Sequence, residues 1–366
     1  MSEPSFDYLI VGCGLFGSVF AEQMMAQGKK VLIIDKRPHI GGNVFTETRE
    51  DINIHVYGAH IFHTSNETVW RYVNRFATFN HYVNRPKVHY QGKIYSFPIN
   101  LMTLYQLWGV QTPAEAERVL AEKRIPIEHP NNLEEWILSQ VGEEIYETFI
   151  KGYTSKQWMR HPKDLPTFII RRLPIRLTFD DNYFNDPYQG IPIGGYTPMI
   201  QKMIAGADVR VGVDYFADKS TWDSFAKKVV YTGKIDEYFG FRFGELDYRT
   251  LRFDNKVLDI PDFQGNAVVN YTEEQVLYTR IIEHKHFEFG TQPKTVVTWE
   301  YPDAWDRTKV PYYPVNDKPN TDIYQQYKTL ADRESGVLFG GRLAEYRYYD
   351  MHHVVASALA AAKQAS

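Results

Sequence analysis

The sequence holds one cysteine in 366 residues. A single thiol cannot build an internal disulfide framework, so the fold must rest on buried apolar surface. Positive charge is not in excess. Lys and Arg number 41 against 45 Asp and Glu, for a formal net charge of −4. That balance excludes the broad basic field by which nucleic-acid-binding surfaces are known. No apolar run approaches the roughly 20 residues needed to cross a bilayer. The opening MSEPSFD has no basic stretch ahead of an apolar one, so no secretory leader is expected, and the expected location is cytoplasmic. Internal repeats, low-complexity segments and evident linkers are also missing.

What is present is a chain long enough for two or three domains, with aromatic residues at 15% and 26 tyrosines. Tyrosine is amphipathic, so the surplus suits either an aromatic-lined, wet ligand site or a Tyr-rich core and surface. Residues 6–11 read as a buried strand, 15–27 as a helix and 30–34 as a second strand ending at Asp35, with Gly28 as the helix stop. This is a βαβ unit. VHYQGKIYSF (88–97) alternates around Gln91-Gly92 and reads as a hairpin. From about 100 to 165 the pattern is helical. TPAE (112–115) is a capping-box start, and GEEIYETFIKG (142–152) places Ile145, Tyr146, Phe149 and Ile150 on one face, with Gly152 after it. KDLPTFIIRRLPIR (163–176) reads as a loop on this region. Strands return after 205 in DVRVGV, KKVVYTG, NAVVNYT and TVVTWEY, and the tail adds GVLFGG and a helix from about 351. The expected fold class is therefore α/β. A Rossmann-like domain (1–65, 195–237 and 330–366) is interrupted by a helical domain (100–180) and an antiparallel β-sheet domain (66–99 and 238–329).

The opening motif Gly12-x-Gly14-x-x-Gly17 has a mechanical logic. Gly12 permits the tight turn, Gly14 lets a pyrophosphate approach the backbone, and Gly17 lets helix and strand pack closely. The helix N-terminus then faces the phosphates with free N–H groups, and Asp35 stands where an acid would bind the adenosine ribose. Cys13 within this loop reads as filling a small packing slot. Gly41-Gly42 follow the acid in DKRPHIGGN. Together with VVYTGKID (229–236) and LFGGRLAEYRYYDM (338–351), they resemble FAD-binding flavoproteins of the amine-oxidase type. The expected dinucleotide is thus FAD rather than NAD.

Seven further stretches sharpen the resemblance: HVYGAHIFHT (55–64), KGYTSKQW (151–158), RRLPIR (171–176), DNYFNDPYQGIPIGGYT (181–197), YTRIIEHKHF (278–287), PYYPV (311–315) and GRLAEYRYYDM (341–351). In this order they make the chain resemble the bacterial UDP-galactopyranose mutases over nearly its whole length. Asp35 stands where that family often has Glu, and Cys13 where it often has Ser. The resemblance implies an isomerase interconverting UDP-galactopyranose and UDP-galactofuranose for cell-surface glycans, without net redox. It implies FAD active only when reduced, with flavin N5 attacking sugar C1, UDP leaving, and a flavin iminium forming before O4 closes the smaller ring. A homodimer is likewise a family expectation.

The resemblance also implies site residues. Arg172 and Arg280 match the two diphosphate-clamping arginines, whose bidentate guanidinium suits a leaving phosphate. Tyr183, Tyr313 and Tyr348 match phosphate-contacting tyrosines, with Tyr312, Tyr346 and Tyr349 as near neighbours on other faces. Phe149, Tyr153, Thr154 and Trp158 match the uridine pocket, and Asn84 and Asn270 match polar contacts to the nucleotide sugar. His60 and His63 are placed near the flavin, His63 with a catalytic role. Cofactor contacts are implied for Gly12, Gly14, Phe16, Gly17, Asp35, Lys36, Gly42, Asn43, Ile61, Arg342, Asp350 and Met351. No metal is expected. Arg172 lies between Pro166 and Pro174, so 163–176 is expected to be a mobile lid, with Arg172 its moving half and Arg280 the fixed half of the clamp. Two rival readings are a flavin amine oxidase or dehydrogenase and a catalytically inactive nucleotide-sugar-binding protein.

Overall fold

The structure, a computed structural model, describes residues 4–171 and 173–365. The apolar run at the start forms the strand Phe6–Val11, with Leu9 and Ile10 fully buried. Gly12 then turns the chain at φ +111°, the helix Leu15–Met25 follows, and Gly28 in the left-handed region returns it to the parallel strand Val31–Asp35. Asp208–Val211 pairs outside Val31–Asp35. Ala226–Tyr231 pairs on the other side of Phe6–Val11, and Val337–Phe339 pairs beyond that. All four pairings are parallel, so the strands read as near-continuous apolar runs covered on both faces. The last helix, Met351–Ala365, lies on Leu15–Met25 through Val355, Ala358 and Ala362, all fully buried. Small residues there let the first and last helices of the chain approach closely.

Residues 66–76 belong to this body, not to the sheet domain expected from 66 onward. The helix Glu67–Val73, capped by Asn66, buries Val69, Tyr72 and Val73, with Phe76 beyond it, in the same core as Val19 and Phe20. Tyr72 and Arg75 also donate to Glu22 of the first helix. Val69, Tyr72, Val73 and Phe76 follow the i, i+3, i+4, i+7 spacing of a helix face, and only the packing shows which body that face joins.

The second sheet has seven strands in the order Tyr313–Pro314, Tyr248–Leu258, Thr295–Asp303, Arg280–Glu283, Val268–Tyr271, Lys87–Tyr90, Lys93–Ser96. It is antiparallel except where Val268–Tyr271 runs parallel to Lys87–Tyr90, a departure from the purely antiparallel sheet expected. The hairpin turns at Gln91-Gly92, both with positive φ. Helices Leu101–Trp108 and Pro113–Lys123 start on capping boxes, Asn100 with Thr103 and Thr112 with Glu115. Each such cap is worth about 1 kcal/mol.

Gly152 lies within the helical run: at φ −68° and ψ −36° it joins the π-turns Tyr146–Lys151 to the helix Gly152–Trp158, close against a neighbouring segment. One local expectation is corrected. Segment 163–176 is not all loop. The short helix Phe168–Arg171 forms between the prolines, and Ile170 and Leu173 are buried in the helical region's core. Arg172 itself lies outside the described residues.

Candidate functional site

At the end of the parallel strands, the glycine turn is built as a cradle. A Cβ on Gly12 would lie 2.0 Å from Thr232 Oγ1, and one on Gly42 (φ +54°) would lie 2.9 Å from Gly14 Cα. The two glycine segments therefore touch backbone to backbone, and the Gly41 N–H donates to the Cys13 carbonyl. Gly14 caps the first helix without a side-chain hydrogen bond, so the N–H groups of the first turn are free to meet an anion. Asp35 accepts from the Cys13 and Arg37 N–H groups, at 2.7 and 2.8 Å. Each carboxylate oxygen keeps acceptor capacity for a ribose hydroxyl. Cys13 is fully buried, and burial pushes its thiol up to about 12, as befits a packing residue. The fit to a dinucleotide is thus in the backbone and the acid. Two of the expected residues direct their side chains to other partners. The Phe16 ring is buried in the core beneath Gly340, and Lys36 is paired with Asp214 at the surface.

From this end a cavity of about 480 Å³ runs between the two sheets and the helical region. Seventeen of the expected residues line it: Asn43, His60, Ile61, His63, Asn84, Phe149, Tyr153, Thr154, Trp158, Tyr183, Asn270, Arg280, Tyr313, Arg342, Tyr348, Asp350 and Met351. Gly12, Gly14, Gly17, Asp35 and Gly42 form the cradle beside it rather than its wall. The neighbouring tyrosines separate by face. Tyr313 and Tyr348 stack in the wall with centroids 5.1 Å apart. Tyr346 is turned into a different core, donating to the Asp247 and Val315 carbonyls, and Tyr349 lies near Glu345. Tyr312, set aside in the sequence, also reaches the cavity.

The electrostatic centre is Arg280. Its Nη2 donates to the Tyr153 hydroxyl at 2.8 Å, and its Nε lies 2.9 Å from Oε1 of Glu300. The Nε–H finds no aligned acceptor, so this second contact is an ion pair without hydrogen-bond geometry. Burial alone would work against the charge, but Glu300, with Tyr153, Tyr313 and Tyr183 around it, more than offsets that and holds the guanidinium above its ordinary value. Burial raises Tyr153 to about 12, so it stays a neutral donor. Arg342 spends its guanidinium on the carbonyls of Tyr312 and Tyr349. Arg249 also lines the cavity, and its Nε and Nη2 are buried without a hydrogen-bond partner among the described residues. Such a guanidinium fits a phosphate oxygen.

The two histidines sit in different surroundings. Burial lowers His60 to about 4, and its Nδ1 lies 2.7 Å from the Gly58 carbonyl. A neutral ring donating from Nδ1 leaves Nε2 as an acceptor. His63 lies face to face with Phe184, and its Nδ1 is 2.5 Å from Asp186 Oδ2. Asp186 is partly buried, which would raise its carboxyl, but Ser65 and His63 hold it below its ordinary value.

Glu300, Arg249 and Asp186 were not foreseen. Glu300 carried a signal: it is the only acid inside the apolar strand TVVTWEY, in phase with Val296 and Thr298, which are buried. Arg249 carried none, since an arginine in YRTLRF resembles any solvated charge.

Comparison with known proteins accords with this geometry. A family model for "UDP-galactopyranose mutase" matches residues 148–348, and one for "NAD(P)-binding Rossmann-like domain" matches residues 10–76. The second match ends where the first body's core also takes in Phe76. The chain is 42% identical over 362 residues to a "Probable UDP-galactopyranose mutase" of Klebsiella pneumoniae, covering 97% of this chain and 94% of that one. It is 40% identical over 365 residues to a "dTDP-fucopyranose mutase" of Escherichia coli, covering 97% of each. In fold it matches the crystal structure of a reduced UDP-galactopyranose mutase with a TM-score of 0.75, at 13% identity and over 98% of this chain and 95% of that one. Among the described residues no helix is long and apolar enough to cross a membrane. With the family model spanning more than half the chain and relatives aligned along almost all of it, the chain belongs to the UDP-galactopyranose mutase family, a family of isomerases.

Proposed function

We propose that the protein interconverts UDP-galactopyranose and UDP-galactofuranose, with FAD held across the glycine cradle. The observation that carries this is one continuous cavity, which joins the dinucleotide end of the parallel sheet to a wall combining Arg280 with Tyr153 and Trp158. A diphosphate between those two ends meets cations, and a flat base meets aromatic faces. Reduced flavin, when bound, supplies the nucleophile for the anomeric carbon.

The chain's own residues do the rest. Arg280 and Arg249 stabilise negative charge on the departing diphosphate as the bond to the sugar breaks. Tyr153, neutral, fixes the Arg280 fork. Tyr313 and Tyr348 offer hydroxyls to the same oxygens, Asn84 and Asn270 offer amide groups to the sugar, and His60 presents an acceptor. His63 is the catalytic histidine of this proposal, oriented by Asp186. Arg172, outside the described residues, is a further diphosphate cation of this proposal, in the segment 163–176 read as a lid that closes over bound diphosphate and excludes water. Backbone at Asp350-Met351, where the last helix begins, favours the anionic reduced flavin. A cytoplasmic homodimer supplying galactofuranose for cell-surface glycans completes the reading.

The relative that carries the name dTDP-fucopyranose mutase is nearly as similar as the one named for UDP-galactopyranose, so the test runs both nucleotide sugars. Dithionite-reduced holoprotein is incubated anaerobically with UDP-galactofuranose, and separately with the furanose form of dTDP-fucose, and the products are separated by chromatography. Conversion of the UDP sugar, with the flavin still reduced afterwards, is expected. Conversion of the dTDP sugar alone would overturn the substrate assignment, and equal turnover by oxidised protein would overturn the role of reduced flavin.

A further inference from the structure

The helical run carrying Phe149, Tyr153, Thr154 and Trp158 and the hairpin carrying Asn270 and Arg280 are fastened together at the cavity's edge, where Thr272 reaches the wall and Lys156 does not. Gly152 sits so close to the hairpin that a Cβ there would lie 2.2 Å from the Thr272 carbonyl oxygen. The Thr272 hydroxyl donates to the Thr148 carbonyl at 2.6 Å, satisfying a backbone group of the π-turns. Lys156 Nζ donates to three carbonyls of the hairpin loop: Tyr271 at 2.7 Å, Val276 at 2.9 Å and Tyr278 at 3.0 Å. Lys156 is absent from the cavity wall.

We propose that Lys156 is a positioning residue that sets the spacing between the aromatic wall of Tyr153 and Trp158 and the guanidinium of Arg280, so that one nucleoside diphosphate engages both at once. The inference rests on the proposed reading of the cavity as a nucleotide-sugar site. An ammonium has three N–H donors, and here each has one carbonyl acceptor, so the loop's inward carbonyls are satisfied by a single group on the facing helix. Burial lowers its pKa to about 8, and Glu273 and Glu274 nearby favour the charge, so it is an ammonium at neutral pH. The loop has little apolar anchorage at its tip, where Leu277 is 75% exposed. Below the tip the strands pair Asn270 with Arg280, so a shift of the loop against the helix moves Arg280 relative to the base wall. A ligand with two heads gains affinity only while its two subsites keep the separation it spans. Loosening the fastening therefore penalises UDP while sparing ligands that occupy one subsite.

The test uses FAD-loaded holoprotein, wild type and Lys156→Met, which keeps the aliphatic stem. Dissociation constants are measured for UDP, for uridine and for inorganic pyrophosphate. UDP is expected to weaken at least tenfold, with uridine and pyrophosphate within twofold and flavin content unchanged. KM for the sugar nucleotide should rise by a similar factor, with kcat within about threefold, and Lys156→Arg should recover part of the loss. Equal weakening of all three ligands, or unchanged UDP affinity, overturns the proposal. If Lys156→Met does not fold, Lys156→Gln, which deletes the charge and shortens the reach to the three carbonyls, must show the same selective loss of UDP. Failure of the wild type to bind UDP would overturn the nucleotide reading itself, a result distinct from normal wild-type binding with no selective loss in the variants.

Discussion

Glu300→Gln separates two roles that the Arg280 ion pair combines. Glu300 is 2% exposed, and its Oε1 lies 2.9 Å from Arg280 Nε while accepting from the Thr279 hydroxyl at 3.2 Å. Glutamine keeps the shape and an oxygen for Thr279 but deletes the charge. With charge centres about 4 Å apart and an effective dielectric near 20, the attraction is about 4 kcal/mol. Breaking one half of a buried pair typically costs about 3–5 kcal/mol, because the partner's charge is left uncompensated. A chain this long loses roughly 1–2 °C in Tm per kcal/mol, so a fall of about 4–8 °C is expected for the protein without nucleotide. Bound diphosphate supplies the missing anion. Saturating UDP should therefore raise Tm more in Glu300→Gln than in the wild type, recovering part of the deficit. Thermal unfolding of the FAD-loaded proteins with and without saturating UDP measures both quantities. An unchanged Tm without UDP would show that the pair contributes nothing. A UDP-induced rise smaller than in the wild type would show that Glu300 acts by aiming Arg280 rather than by balancing its charge.

Gly12→Ala should abolish flavin loading, because its Cβ would lie 2.0 Å from a Thr232 hydroxyl already bonded to the Val11 carbonyl, at a φ of +111° that L side chains rarely adopt; normal flavin absorbance per protein would refute the cradle. Stability should fall as pH drops from about 6.5 toward 5. His55 and His284 are both 1% exposed, burial holds His55 well below its usual range and His284 near 3, and each Nδ1 accepts a backbone N–H, from His60 and His55 respectively. Below pH 6.5 the unfolded chain takes up protons that the folded rings refuse, so the stability present above 6.5 is lost on acidification, at on the order of 1 kcal/mol per histidine per pH unit. Urea unfolding at pH 7.5, 6 and 5 checks this, and a flat profile would refute it.

Much of the outline could be read in the residues before any coordinates. The strand–glycine–helix–strand opening, the Gln91-Gly92 hairpin, the Thr112 capping box and the return to the parallel sheet at Val337–Phe339 all follow from local period, glycine placement and caps, which act over a few residues. The 11-residue strand Tyr248–Leu258 and the helix Lys318–Ala331 were not foreseen. Their charged and polar residues blur both periods, and what selects each element is its packing partner. The reason for a glycine at 152 is likewise tertiary: the Thr272 carbonyl lies against it.

The site divides the same way. Residue type and order already determined that this chain carries a dinucleotide fold and the aromatic and cationic groups suited to a nucleotide sugar, because glycine turns and guanidinium groups have chemistry wherever they sit. Only the tertiary structure decided which groups act together. It set Glu300 from one strand against Arg280 from the next, with Tyr153 from the helix on the other side. It also turned Tyr346 into a separate core while Tyr313 and Tyr348 stacked in the cavity. These pairings join residues up to 127 positions apart. Such separations are set by how sheet and helix pack, and no local pattern in the sequence encodes them.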